Sequence, residues 1–269
     1  MEMYPYWQRQ DKKPLFPEIE WNKPERRDQA GKLLIIGGSA GNFRAVALAY
    51  EAALKAGIGQ VKVLVPDSLK KMIPPIITDI IFAPSNISGS FSMDAEAEFM
   101  AAASWTDSIL LIGDTNKNSE TAILFEALLK KTDKLTVITR DAVDILMSSF
   151  TELLNRENTI IISSFAQTQK IFQTVYYPKI LTFSMQLSNL AETLHKFTTT
   201  YPILIGTLHA ENFILSEDGK IITTPLANNF TDNLSPLKIW SGEIPTKIAV
   251  YTTWNKSKKL AASASALTI

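Results

Sequence analysis

The sequence predicts an α/β domain: a mostly parallel central sheet between two helical layers, closed at one edge by an antiparallel hairpin. Three observations carry this reading. Short runs rich in aliphatic and β-branched residues recur along the chain: "LLIIG", "VKVLV", "IIFAP", "SILLIG", "LTVIT", "TIIIS" and "PILIG". They are continuous rather than alternating, as strands covered on both faces are. Segments with helical spacing follow most of them, which is the order of βαβ units. Finally, "SEDGKI" at 216–221 sets Asp-Gly between two apolar runs, the signal of a tight hairpin.

Taken in order, residues 1–30 mix proline, aromatics and charge without a period and are expected to form an arm. Tyr6, Trp7 and Trp21 are its expected anchors, and a fold over a neighbouring subunit is open to it. Residues 31–269 form the domain. "LLIIGGSAG" at 33–41 reads as a strand ending in a glycine turn. The next helix, Phe43 to Lys55, brings Val46, Tyr50, Ala53 and Leu54 towards one face. Residues 224–236 are a loop by composition. The last two helices are expected at Glu243–Trp254 and Ser257–Leu267.

Bulk properties narrow the function classes. The chain has 269 residues, 46% of them hydrophobic, so a full core is within reach. The 27 basic and 27 acidic residues cancel, which argues against nucleic acid and anionic membranes as partners. The chain has no cysteine, hence no disulfide, thiolate nucleophile or cysteine-bound zinc. The first residues lack the apolar core of a signal peptide. No run reaches the roughly 18 apolar residues of a membrane span. A cytoplasmic protein is expected.

The stretch "GKLLIIGGSAGNFRAVALAYEAALKAGIGQVKVLVPDS" at 31–68 resembles the opening of the YjeF C-terminal domain family, the ADP- or ATP-dependent NAD(P)H-hydrate dehydratases. Weaker similarity continues to the C-terminus. "TRDAVDIL" is similar to that family's "DADALNLL", and "PILIGTLHAENFIL" with "DGKI" to its "VVLKGAHTVI…DGRV" hairpin. "WSGEIPTKIAVYTTW" falls where the family has "GSGDVLAGIIAGLLA". The resemblance implies a ribokinase-like three-layer α/β/α sandwich, ADP or ATP with Mg2+, hydrated NAD(P)H as substrate, and homo-oligomers.

In that family a nucleotide phosphorylates the hydrate hydroxyl, and phosphate elimination restores the nicotinamide. The aspartate of G-x-G-D takes the hydroxyl proton. Its glycines and helix N-terminus form the anion hole. This sequence departs at each place. The signature reads Trp240, Ser241, Gly242, Glu243; the lysine of "LKG" is Ile205; the glycine-rich turn is "GDTNKN" at 113–118, retaining Gly113; and "SSFAQ" at 163–167 replaces H-P-G-E. A misplacement of roughly 1 Å costs on the order of a hundredfold in rate. The resemblance nominates Glu243 as base, and Gly37, Gly38, Ser39, Gly41, Gly113, Ser241 and Gly242 as ligand-binding residues.

Each candidate has a purely structural explanation. The 37–41 turn is equally a tight corner, and Asn42 a cap. Glu243, with Pro245, suits the first turn of a helix. Asp114 reads best as a solvated cap, and Asp141 and Asp144 as residues at a helix start. His195 reads as a surface helix residue and His209 as a weak ligand candidate, without metal-ligand spacing. Two functions follow: a divergent NAD(P)H-hydrate dehydratase with impaired catalysis, or a non-catalytic binding or assembly protein on the same fold.

Overall fold

The apolar runs fold as one sheet of ten strands. The computed structural model describes residues 4–11, 13–75, 77–226 and 235–268. The strands are β1 (Trp7–Arg9), β2 (Lys32–Gly37), β3 (Gln60–Pro66), β4 (Ile80–Ala83), β5 (Ser108–Gly113), β6 (Leu135–Thr139), β7 (Thr159–Ser163), β8 (Leu204–His209), β9 (Asn212–Glu217) and β10 (Lys220–Pro225). The helices are α1 (Glu18–Trp21), α2 (Arg44–Ala56), α3 (Glu96–Trp105), α4 (Ser119–Lys131), α5 (Asp141–Ile145), α6 (Phe150–Leu153), α7 (Phe165–Thr174), α8 (Leu187–Thr200), α9 (Pro236–Ser241), α10 (Glu243–Trp254) and α11 (Lys259–Ser265).

Across the sheet the order is β1-β10-β9-β8-β7-β6-β5-β2-β3-β4. The seven strands from β2 to β8 pair in parallel, and β9 runs antiparallel to both of its neighbours. The expected hairpin is therefore β9–β10. Asp218 and Gly219 both have positive φ at its tip, as the tightest hairpin turn requires.

Alternate residues of the strands feed two cores. Leu33, Ile35, Val63, Leu110 and Val137 pack with α2, α10 and α11. Leu34, Ile36, Ile109, Leu111 and Ile138 pack with α3, α4, α7 and α8 on the opposite face. This double burial explains why the strand sequences are continuously apolar. The result is the three-layer α/β/α sandwich.

Several boundaries differ from expectation. Helix α2 starts at Arg44 and ends where Gly57, at φ 96°, caps it. Helix α10 spans Glu243–Trp254 as expected, while α11 covers only Lys259–Ser265. Of the expected 224–236 loop, residues 227–234 lie outside the described residues, and Thr224 and Pro225 still belong to β10.

The N-terminal segment lies on its own sheet. β1 pairs with β10, and Ile19 of α1 is fully buried in the core. The Trp7 indole N–H donates to Thr223 Oγ1 at 3.0 Å, and Tyr6 stacks on His195. Trp21 is 87% exposed and anchors nothing. His195 is thus not a plain surface residue: its ring is covered by Tyr6, and its Nδ1 bonds to the Gly219 carbonyl.

Candidate functional site

In an open parallel sheet, ligands bind beyond the carboxyl ends of the strands. Here that region holds the 37–42 turn after β2, the 113–118 turn after β5, the start of α5 after β6, and the α9–α10 junction. The nominated residues do converge there. β2 and β5 approach so closely that a Cβ on Gly37 would collide with the Gly113 carbonyl. The Gly38 N–H donates to Gly113 O at 2.8 Å, and Ser39 Oγ to Asp114 O at 2.6 Å.

The amides of the 37–42 turn face inwards. Ser39 and Asn42 exchange backbone bonds of 3.0 and 2.9 Å, and the Ala40 N–H donates to Gly89 O at 2.9 Å. With Gly38 these account for four of the turn's donors. Gly41, at φ 81°, faces open space. The turn is built as a tight corner whose hydrogen-bonding capacity is largely taken within the fold.

The charged centre of the site is a pair. Asp114, 2% exposed and at φ 60°, accepts the Ala45 N–H at 2.9 Å and Arg140 Nη2 at 2.6 Å. Arg140 Nη1 donates to the Trp240 carbonyl. The guanidinium therefore bridges the β5 turn and the α9–α10 junction. Asp114 is a helix cap, as expected, but a buried one serving α2 and not a solvated one. A charge removed from water needs such a partner.

Arg140 holds φ 58° and ψ −138°, a region that costs a non-glycine residue on the order of 1–3 kcal/mol. It is fixed from three sides: by Asp114, by Trp240 O, and by Gln167 Nε2, which donates to the Arg140 carbonyl at 2.8 Å. Gln167 closes a capping box with Ser164 and also donates to Asp144 at 3.1 Å. So Ser164 and Gln167 of the "SSFAQ" segment cap α7 and position α5.

Asp141 closes the β5 turn. Its carboxylate accepts the N–H groups of Asp114 and Thr115 at 2.7 and 2.9 Å. A side chain on Gly113 would overlap that carboxylate. The first two backbone donors after β5 are thereby already bound to an anion belonging to the chain.

The signature junction is occupied in part. Trp240 and Ser241 are the last residues of α9, so their amides belong to a helix. Gly242, at φ 96°, ends α9 and starts α10; its N–H points to Ile239 O at 3.4 Å. A Cβ there would lie 2.5 Å from Ile112 Cδ1, so the β5 side chain abuts the helix start. Pro245, third in α10, carries no N–H. Glu243 is half-buried and accepts a 3.4 Å contact from Ser241 Oγ. Burial, and then the charge of Lys238, lower the Lys247 amine below its ordinary value, while Glu243 opposes this. Trp240 packs, partly buried, on the core beneath α10.

Other candidates are structural. Ile205 is fully buried in β8. His209 is 7% exposed, bonds through Nε2 to Met185 O at 2.8 Å and stacks on Phe165. No group of three potential metal-ligating side chains occurs among the described residues. None of the described helices is long and apolar enough to cross a membrane.

Several of the amides that the resemblance assigns to phosphate are used within the chain: those of Trp240 and Ser241 lie inside α9, that of Gly242 is directed to Ile239, and those of Asp114 and Thr115 are bonded to Asp141. An arginine–aspartate pair lies among them, while the start of α10 has no side-chain cap. Arg140 was missed in the sequence. The signal was its place in "TRDAVDIL", where the similar family pattern has alanine.

No family model matches the chain. Over 118 residues it is 30% identical to the bifunctional NAD(P)H-hydrate repair enzyme Nnr of Moorella thermoacetica, a match covering 43% of this chain and 22% of that protein. The match thus spans about a fifth of the curated relative. Among solved structures, a ribokinase-like superfamily protein of Enterococcus faecalis has a TM-score of 0.70 at 11% identity, covering 98% of this chain and 87% of that one. The ADP/ATP-dependent NAD(P)H-hydrate dehydratase of Bacillus subtilis, co-crystallised with ATP/Mg2+, has a TM-score of 0.60 at 13% identity, covering 95% and 86%. Fold and partial sequence similarity both bear out the resemblance stated above.

Proposed function

We propose that this chain, a divergent relative of the YjeF C-terminal domain family on a ribokinase-like fold, is a non-catalytic member that has closed its phosphoryl-transfer centre. One observation carries the reading: the Arg140 guanidinium ties Asp114 to the Trp240 carbonyl across the place where the nucleotide phosphates of a dehydratase would be held. The occupied amides around it point the same way. A transferring phosphoryl group is stabilised by donors held ready for it; here the chain's own carboxylate and helix already use those of Asp114, Thr115, Trp240 and Ser241. On this reading neither ADP nor ATP with Mg2+ is a cofactor, and the role left to the scaffold is binding or assembly.

The dehydratase reading retains one supporting observation. Glu243 is a half-buried carboxylate in the first turn of α10 and could still take a proton. The test is direct. Purified protein is incubated with hydrated NADH and either ADP or ATP, and the return of NADH absorbance is followed against a no-protein control. No nucleotide-dependent recovery is expected. Recovery would overturn the proposal and make Glu243 the leading base. A companion variant, Trp240→Gly with Glu243→Asp, is also expected to be inactive. Activity gained by adding Arg140→Ala to that pair would identify the arginine as the obstruction.

A further inference from the structure

The two edges of the sheet are built differently. The β1 edge is guarded by charge: Arg9 and Asp11 are exposed and pair with each other at 3.0 Å, a common protection of a free edge. β4, at the other edge, pairs with β3 alone. Its residues, Ile80, Ile81, Phe82 and Ala83, include no charge and no proline, and the first three are only half-buried. Met72, in the β3–β4 connection, and Leu54, which shares a groove with Thr78 and Asp79, are exposed as well.

The register decides which backbone groups are free. Val63 sits opposite Ile80, and its N–H donates to Asp79 O at 2.9 Å. In a parallel ladder Ile81 then turns its groups towards β3, and Ile80 and Phe82 turn theirs outwards. Neither has a backbone partner on that side among the described residues. Two outward residues flanking one inward residue are self-complementary. With a second copy laid antiparallel, and Ile81 opposite Ile81 on a two-fold axis, Ile80 of each copy exchanges both N–H···O bonds with Phe82 of the other. No outward group of the pair is left over, and the dimer closes. Side chains agree: Ile80 and Phe82 both pack towards the α2 face, so each isoleucine meets a phenylalanine across the strands. Charges agree too. Lys70 holds its Nζ 5.4 Å over the Phe82 ring, and Asp79 precedes the other end of β4. Neither joins a salt bridge among the described residues. The antiparallel register lays Lys70 of each copy at the end of β4 that follows Asp79 of the other.

We propose that β4 is a self-association edge, through which two copies of this chain join their sheets antiparallel about Ile81. The proposal does not depend on how the phosphoryl site is read. The full chain is followed by analytical ultracentrifugation over a concentration series, and its amides by hydrogen exchange at both ends of that series. A monomer–dimer transition is expected, with the Ile80 and Phe82 amides protected at high concentration and exchanging freely at low, and the Arg9 amide on the β1 edge unchanged. Asp79→Lys and Lys70→Glu alter exposed side chains and should leave the far-UV spectrum intact. Each sets repulsion in place of attraction at both symmetry-related contacts and should weaken the dimer about tenfold. The double reversal should return it to within about threefold of the parent. A monomer at every concentration would overturn self-pairing and leave the edge to an extended segment of a different protein. A dimer that leaves those two amides unprotected, that neither reversal weakens, or that the double reversal does not restore would place the interface elsewhere and overturn the proposal.

Discussion

Two regions of this molecule meet at the same point and keep the family resemblance unequally. Residues 31–68, which form β2, the glycine turn, α2 and β3, keep the pattern of the hydrate dehydratases nearly position by position. Residues 235–254, which form α9 and α10, keep one signature glycine and little else. The difference separates two demands. The first region answers to packing: Gly37 must let β2 and β5 touch, and the alanines of α2 must lie on the sheet. The second answers to chemistry, because its counterpart must leave backbone donors free for a phosphate. Packing demands persist as long as the fold does. On the proposed reading the chemical demand has lapsed, and α9 has absorbed the donors of Trp240 and Ser241.

The largest effect should come from the packing side. Gly113 has φ 86°, and an added Cβ would overlap the Asp141 carboxylate. Gly113→Ala combines left-handed strain with overpacking, and should destabilise by about 2–5 kcal/mol. The denaturant midpoint measures it. If the midpoint hardly moved, the β5 turn would be looser than the close approach requires, and the contrast between the two regions would fail.

Next comes the bridge between them. Asp114→Asn leaves Arg140 without its counter-charge in a mostly buried position. A cost of about 3 kcal/mol is expected for breaking such a pair from one side. Removing both charges together, with Asp114→Asn and Arg140→Gln, should cost distinctly less than the two single changes added, because the uncompensated charge disappears. Additive costs would show that the pair does not join the regions, and the closed-site reading would lose its central contact.

Much of the fold was legible because its causes are local. Strands buried on both faces must be apolar throughout, so β2, β5, β6 and β7 could be read directly. Asp218-Gly219 marks its hairpin, and Glu243 with Pro245 marks the start of α10. The site was legible only as a neighbourhood. The convergence of Gly37, Gly113 and Gly242 followed from the resemblance, but the Arg140 bridge did not. Arg140 reaches Trp240 across 100 positions, and Asp114 caps a helix 69 positions earlier. No local pattern encodes either bond. β1 was hidden for the same reason: three residues pair with a strand more than 200 positions away.

The smallest predicted effect sharpens how firmly α10 is held in the second region. Tyr251 lies on the buried face of α10 and is 4% exposed. Burial raises its phenol well above the ordinary value of 10.0, and the Glu20 carboxylate, from charge and a hydrogen bond, raises it further. A raised folded value fixes the sign. Below the unfolded phenol's pKa both states are neutral, and the contribution is fully present. As pH rises past that value the unfolded chain loses its proton first, and stability falls by up to about 1.4 kcal/mol per pH unit. The denaturant midpoint should therefore hold steady to about pH 9 and drop above it. Tyr251→Phe should remove part of that drop while losing a fraction of the hydrogen bond, about 1 kcal/mol, at neutral pH. An unchanged alkaline slope in Tyr251→Phe would mean that α10 opens to water around the phenol. The second region would then be more loosely packed than the burial of Tyr251 implies.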